Sequence, residues 1–219
     1  MNKEYILSET ETYVRRKLEG EGTGHDWWHI HRVRNMALEL GKEEKANLFV
    51  VELAALLHDI ADHKFHDGDE DIGSVTARKW LKKLDISKKT IDHVCDIIHG
   101  VSFKGAKVET PMKTIEGKVV QDADRLDALG AIGIARAFAY GGYKGRELHN
   151  PNISPEAHES FEKYKKSAGP TLNHFYEKLF LLKDRMNTQS GRKIAEGRHQ
   201  FMKEFVERFL QEWEGNYEL

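Results

Sequence analysis

The stretch Phe49-Val50-Val51-Glu52-Leu53-Ala54-Ala55-Leu56-Leu57 is apolar at every position but one, and it runs directly into His58-Asp59. A helix that is apolar on most sides has no solvent face, so it belongs at the centre of a fold with other helices around it. The periodicity predicts a helix from Glu43 to about Ala61, with Leu48, Val51, Ala55 and His58 aligned along it. A buried helix that ends in two polar, ionisable residues is the constraint that the rest of the chain has to meet.

Elsewhere the pattern is also helical, and no segment alternates apolar and polar residues between turn signals as a strand would. We read an all-α protein. Ser8-x-x-Glu11 has the form of a capping box in a first helix, which Gly20, Gly22 and Gly24 break. A second helix spans Asp26 to Leu40, and Gly41 stops it. Others follow at Ile72 to Leu84, after Ser87 as N-cap, and from Thr110-Pro111 through Met112, Ile115, Val119 and Ala123. Helical character continues to Tyr140, and Gly141-Gly142 ends it. Residues 141–155 read as a loop, either a lid or a linker. Ser154-Pro155 and Gly169-Pro170 mark further helix starts, and a last long helix aligns Ala195, His199, Met202, Val206, Phe209 and Trp213. The 219 residues are expected to form a single all-α domain, with residues 156–219 as C-terminal helices packed on the rest.

Composition removes several classes of function. With 34 Lys+Arg against 36 Asp+Glu, the formal net charge is −2, so no clustered basic excess recommends nucleic-acid binding. No apolar run approaches the roughly 20 residues of a membrane-spanning helix, and Met1 to Tyr5 lead into a polar helix without the apolar core of a secretory signal. Cys95 is the one cysteine, which excludes an intramolecular disulfide and zinc sites built on two or more thiolates. The chain reads as cytoplasmic.

Twelve histidines are present, and His25, His29, His31, His58, His63, His66, His93 and His99 all fall in the first half. Three contexts stand out. His29 lies one turn before Val33 and so shares the inward side of the second helix. His58-Asp59 closes the most apolar helix, where an unpaired ionised carboxylate would be very costly and a buried cation is the simplest resolution. Gln121-Asp122-Ala123-Asp124-Arg125-Leu126-Asp127 sets three carboxylates within apolar surroundings on another helix-like segment.

An early His three residues before Arg-Val, a His-Asp doublet on a central helix and a later Asp in Ala-Asp-Arg-Leu together resemble the HD-domain metal-dependent phosphohydrolases, specifically their small single-domain bacterial members. The resemblance implies an all-α HD helical bundle with additional C-terminal helices, with its core over residues 20–140. It assigns His29, His58, Asp59 and Asp124 as ligands of one divalent metal. Two neutral imidazoles and two carboxylates neutralise such an ion, and four ligands leave two octahedral positions for water or phosphate oxygens. Mixed N/O ligation favours Mn²⁺ here, with Fe²⁺, Co²⁺, Ni²⁺, Mg²⁺ or Zn²⁺ as alternatives. Some HD enzymes take a second metal through extra histidines. His93 and His99, six helical residues and thus about 600° apart, point in directions roughly 120° different, so a mononuclear site is expected and these two are candidate substrate groups.

A metal of this kind acts as a Lewis acid on a phosphoryl oxygen and lowers the pKa of its bound water. Phosphate binding then needs cations or N–H donors besides. Lys64 is the first candidate, with Asp62 to orient the attacking water or to hold Lys64. Lys104, Lys144, Arg146, and His174 with Lys178 one turn on, are further candidates for substrate contact. His25 and Asp26 lie where they can orient the first imidazole, and Arg125 is expected to pair with a carboxylate.

The expected activity is hydrolysis of a small phosphorylated metabolite, a nucleotide by family resemblance, with cleavage of a nucleoside or deoxynucleoside triphosphate to monophosphate and pyrophosphate as the first choice. A 5′-nucleotidase or another nucleotide phosphodiesterase would use the same four ligands. A noncatalytic metal- and nucleotide-binding module is the competing class, and the intact ligand set argues against it. The oligomeric state stays open; the apolar stripe of the last helix permits an assembly without requiring one.

Overall fold

The computed structural model describes residues 2–20, 26–61, 71–101, 108–156 and 169–216. Every regular element among them is helical: α1 (Lys3–Lys17), α2 (Trp27–Glu43), α3 (Leu48–Leu57), α4 (Ile72–Leu81), α5 (Lys88–Val101), α6 (Ile115–Asp127), α7 (Gly130–Tyr143), the short α8 (Asn173–Glu177) and α9 (Gln189–Trp213), with two 3₁₀ turns between α8 and α9. The all-α expectation holds. The chain divides into two compact units, one of residues 1–103 and 109–124, the other of residues 104–108 and 125–219. The division falls inside α6, between Asp124 and Arg125.

In the first unit α3 is the central element, packed by α1, α2 and α5. All its residues except Leu48 and Glu52 are buried, each full burial of a Leu, Val or Phe side chain being worth about 1.5–3 kcal/mol. Glu52, the polar exception, accepts from the Arg34 guanidinium of α2, whose Nη1 also donates to Glu11 of α1 at 2.8 Å. One arginine thus joins three helices. α4 pairs with α5 and meets α1 through Trp80, whose indole stacks on Tyr13 at 4.1 Å and donates to the Thr10 hydroxyl. Cys95 is buried on α5, and burial pushes its thiol pKa up.

In the second unit α7 packs on α9 around the rings of Phe138, Phe175, Phe205 and Phe209, whose neighbouring centroids lie about 6 Å apart. Arg198 of α9 donates to the Leu126 carbonyl at 2.5 Å, and Arg136 holds the buried Asp127 at 2.8 Å. Both cations satisfy groups at the end of α6.

Several element boundaries differ from the sequence reading. α1 is capped by Asn2, whose Oδ1 accepts from the Tyr5 amide, so Ser8 sits mid-helix and forms no capping box. α3 is shorter than Glu43–Ala61, because α2 continues to Glu43 and Lys45 takes a positive φ of 56° that interrupts the helix. α6 starts at Ile115 and not at Thr110-Pro111, because the Thr114 hydroxyl caps it by accepting from the Gly117 amide. Ser87 does cap α5, through the Thr90 amide. The helix start expected at Ser154-Pro155 leads into residues 157–168, outside the described residues.

Two glycines expected to stop helices lie inside them, and for the same reason. A Cβ at Gly41 would sit 2.9 Å from Leu48 Cδ2 of α3, and one at Gly141 would sit 2.0 Å from the Thr171 hydroxyl. Both residues permit close approach within a continuous helix. The loop expected over 141–155 accordingly begins only after Tyr143.

The adjacent pair Gly141-Gly142 offers a direct check, because nothing lies within 4 Å of a Cβ at Gly142. Gly141→Ala is expected to destabilise the protein by about 1–3 kcal/mol through overpacking. Gly142→Ala is expected to stabilise it by about 0.4–1 kcal/mol through helix propensity and lost chain entropy. Thermal unfolding followed by circular dichroism should move in opposite directions for the two variants; a shared direction would contradict the packing assignment.

Candidate metal centre

The first unit brings His29, His58, Asp59 and Asp124 together from α2, the end of α3 and α6. His29 Nε2 lies 3.2 Å from His58 Nε2, 3.3 Å from Asp59 Oδ2 and 3.5 Å from Asp124 Oδ1. His58 Nε2 lies 3.6 Å from Asp59 Oδ2 and 3.8 Å from Asp124 Oδ1. His29, His58 and Asp59 thus form a cluster whose donor atoms all lie within 4.8 Å of one another, with Asp124 beside both imidazoles. Both imidazoles are buried, whereas Asp124 keeps 27% of its side chain exposed, so the cluster has one side open to solvent.

Local backbone structure positions each group. His29 enters on the first turn of α2, where the Asp26 side chain accepts from the His29 amide at 2.9 Å. Asp26 thus acts on the backbone of His29, not on its ring. His58 terminates α3, and its Nδ1 lies 2.8 Å from the Ala55 carbonyl. A carbonyl only accepts, so Nδ1 carries a proton and the ring turns its Nε2 toward the cluster. That carbonyl escapes a search for polar side chains; the signal for it is a helix-terminal histidine three residues after a helical carbonyl.

Burial alone would push the Asp124 carboxyl pKa up. The hydrogen bond from His29 and the charges of both imidazoles outweigh this and hold it below the usual carboxylate range. The charge of Asp59 opposes ionisation of Asp124, and partial enclosure makes that opposition more costly. Four converging donors carrying two negative charges are the composition that a divalent cation neutralises. Histidine and carboxylate together suit a transition metal better than an all-oxygen ion such as Mg²⁺.

The other sequence candidates are distributed as follows. His93 Nε2 lies 2.9 Å from the Thr114 hydroxyl and 3.7 Å from Glu116, at the start of α6, where Glu116 also accepts from the Asn47 amide. Its ring is engaged in holding that helix start. His99 pairs with Asp71 at 3.0 Å. The two rings thus have different partners, consistent with the angular separation read from the sequence. Arg125 donates from Nη1 to the Arg185 carbonyl. Lys144, Arg146, His174 and Lys178 all belong to the second unit. His25, Asp62, Lys64 and Lys104 lie outside the described residues.

The chain resembles known proteins over nearly its whole length. Residues 27–129 match the HD domain family model. The Bacillus subtilis protein YpgQ is 43% identical over 197 residues, covering 89% of this chain and 87% of YpgQ. A solved structure of YpgQ in complex with ADP superposes with a TM-score of 0.71 at 37% identity, covering 94% of this chain and 96% of that one. A protein from Bacillus thuringiensis described as an HD-superfamily hydrolase reaches a TM-score of 0.76 at 45% identity, over 97% and 99% of the two chains. A Lactobacillus plantarum structure reaches 0.85 at 37% identity, over 98% and 100%.

The Asp26 contact can be tested without any metal. Asp26→Ala removes the cap of α2 and is expected to cost about 1 kcal/mol in urea denaturation of chelator-treated protein. Asp26→Asn keeps a capping oxygen and should recover most of that loss; equal losses in both variants would show that charge, not capping, is what Asp26 supplies.

Proposed function

The chain belongs to the HD-domain family of metal-dependent phosphohydrolases, and we propose that it hydrolyses nucleotides, with nucleoside or deoxynucleoside triphosphates cleaved to monophosphate and pyrophosphate. The observation that carries this reading is the cluster of His29, His58 and Asp59, with Asp124 3.5 Å from His29. The ADP complex of YpgQ supports the nucleotide class. His29, His58, Asp59 and Asp124 would hold one divalent ion, Mn²⁺ being our first choice. When bound, the ion supplies Lewis-acid polarisation of a phosphoryl oxygen and an acidified water.

The protein's own groups do the rest. His58 is held as the Nδ1–H tautomer by the Ala55 carbonyl, so its donor atom needs no rearrangement. Asp59 and Asp124 offset a 2+ charge, leaving the centre near neutrality, and an anionic substrate must therefore be drawn by other cations. Lys64 and Lys104 remain proposals for that role, as do His174 and Lys178, and Asp62 for orienting water. The lone buried thiol and the lack of a membrane-length apolar helix among the described residues are compatible with the cytoplasm as the working compartment.

The test is a panel of nucleoside mono-, di- and triphosphates with Mn²⁺-loaded protein, measuring orthophosphate and pyrophosphate separately beside an Asp59→Ala control. Pyrophosphate released from triphosphates and abolished in the control is expected. Orthophosphate from monophosphates would move the reading to a 5′-nucleotidase. A wild type inert with every metal tried would leave a binding module.

A further inference from the structure

Of the two carboxylates at the metal centre, Asp124 stands farther from both imidazoles. Its Oδ1 lies 3.5 Å from His29 and 3.8 Å from His58, against 3.3 and 3.6 Å for Asp59, and its side chain is 27% exposed against 14%. It also occupies the last turn of its helix, three residues before Asp127 ends it. The last four carbonyls of a helix have no partner within it, so a final turn frays unless other groups hold it. A ligand placed there is only as well fixed as the turn that carries it.

Arg198 of α9 holds that turn. Its Nη1 donates to the Leu126 carbonyl at 2.5 Å. Burial pushes the Arg198 pKa down, and the nearby charge of Asp127 opposes that shift. Asp127 in turn sits at the negative end of the helix dipole, where an acid needs a cation beside it, and Arg136 meets it at 2.8 Å. The Leu126 carbonyl also accepts from the Leu129 amide at 3.0 Å, and the Arg125 carbonyl from the Ala128 amide at 3.1 Å, which tightens the helix end. The stem of Arg198 reaches this end because Gly130, at a φ of 74°, carries no side chain; a Cβ there would stand 3.1 Å from Arg198 Cγ. Earlier in α6, Glu116 accepts from the Asn47 amide and Gln121 donates to the Gly100 and Thr110 carbonyls at 3.0 Å. Asp124 therefore lies between two sets of anchors, beyond the first and inside the turn that the second closes.

We propose that Arg198 is a positioning residue for the metal centre: by holding the last turn of α6 it keeps the Asp124 carboxylate beside the two imidazoles, and α9 thereby tunes the affinity for the ion. The proposal rests on the reading of His29, His58, Asp59 and Asp124 as one metal centre and is independent of the substrate. Without the guanidinium the Leu126 carbonyl loses a charged donor and Asp127 a compensating charge. The turn then loosens, and the fourth donor loses its fixed direction while the other three keep theirs.

The test is calorimetric titration of chelator-treated protein with Co²⁺, which such donors bind more tightly than Mn²⁺, so that weakened variants stay measurable. Arg198→Met is expected to weaken Co²⁺ binding by about tenfold or more, the usual effect of removing a group that orients a ligand. Arg198→Lys keeps a cationic donor and should recover part of that loss. In an Asp124→Ala background Arg198→Met should cost nothing further, because the residue through which it acts is gone. A general loosening of the fold would weaken binding by the same factor in both backgrounds and would overturn the proposal. An Arg198→Met protein that binds Co²⁺ as the wild type does would also overturn it. Should circular dichroism show that Arg198→Met does not fold, Arg198→Lys is compared with the wild type in both backgrounds and the same two outcomes decide. A wild type without affinity for Co²⁺ would overturn the metal centre and this proposal with it. The expected pattern of affinities, without turnover of any nucleotide, would sustain the proposal and remove the reaction.

Discussion

Two carboxylates and two imidazoles gathered at the end of an apolar helix form the interaction on which the first unit depends. α3 is stable only because it is enclosed, yet its last turn delivers His58 and Asp59 into the same enclosure. Burying ionised carboxylates this close is unfavourable unless opposite charge meets them. The surrounding helices therefore have two tasks: covering α3 and bringing compensating groups to its end. α2 does both, presenting Ile30, Val33 and Ala37 as packing surface and His29 as a donor. α6 brings Asp124, with Val119, Val120 and Ala123 buried beside it.

How much of this could be read in advance follows from the nature of each signal. The all-helical fold and the central helix were legible because periodicity carries them directly, whereas His29, His58, Asp59 and Asp124 were singled out as a set by their resemblance to the HD-domain pattern. The glycines were misread because Gly41 and Gly141 look the same in sequence whether they end a helix or let another segment approach it. Only the positions of Leu48 and Thr171 in space decide between those roles. The start of α6 was placed at Thr110-Pro111 because Thr and Pro both favour helix starts, whereas Thr114 is the residue whose hydroxyl caps it.

Arg125 shows a related limit. One of its donors meets the Arg185 carbonyl, a backbone group with no signature in residue identity. The same holds for Ala55, whose carbonyl decides which nitrogen of His58 is available. Backbone acceptors complete much of the polar chemistry in folded proteins, and a sequence names only the side chains.

The bond between His58 and Ala55 spans three residues of one helical end, so it forms with the last turn of α3 and needs no distant partner. The donor ring is consequently oriented as a by-product of folding, before any ion arrives. Maturation then separates into two steps in time, a folding step governed by the chain and a loading step governed by supply. Because affinities of such a donor set rise along the first-row metals, the ion that occupies it is decided by which metal the cell makes available when loading occurs.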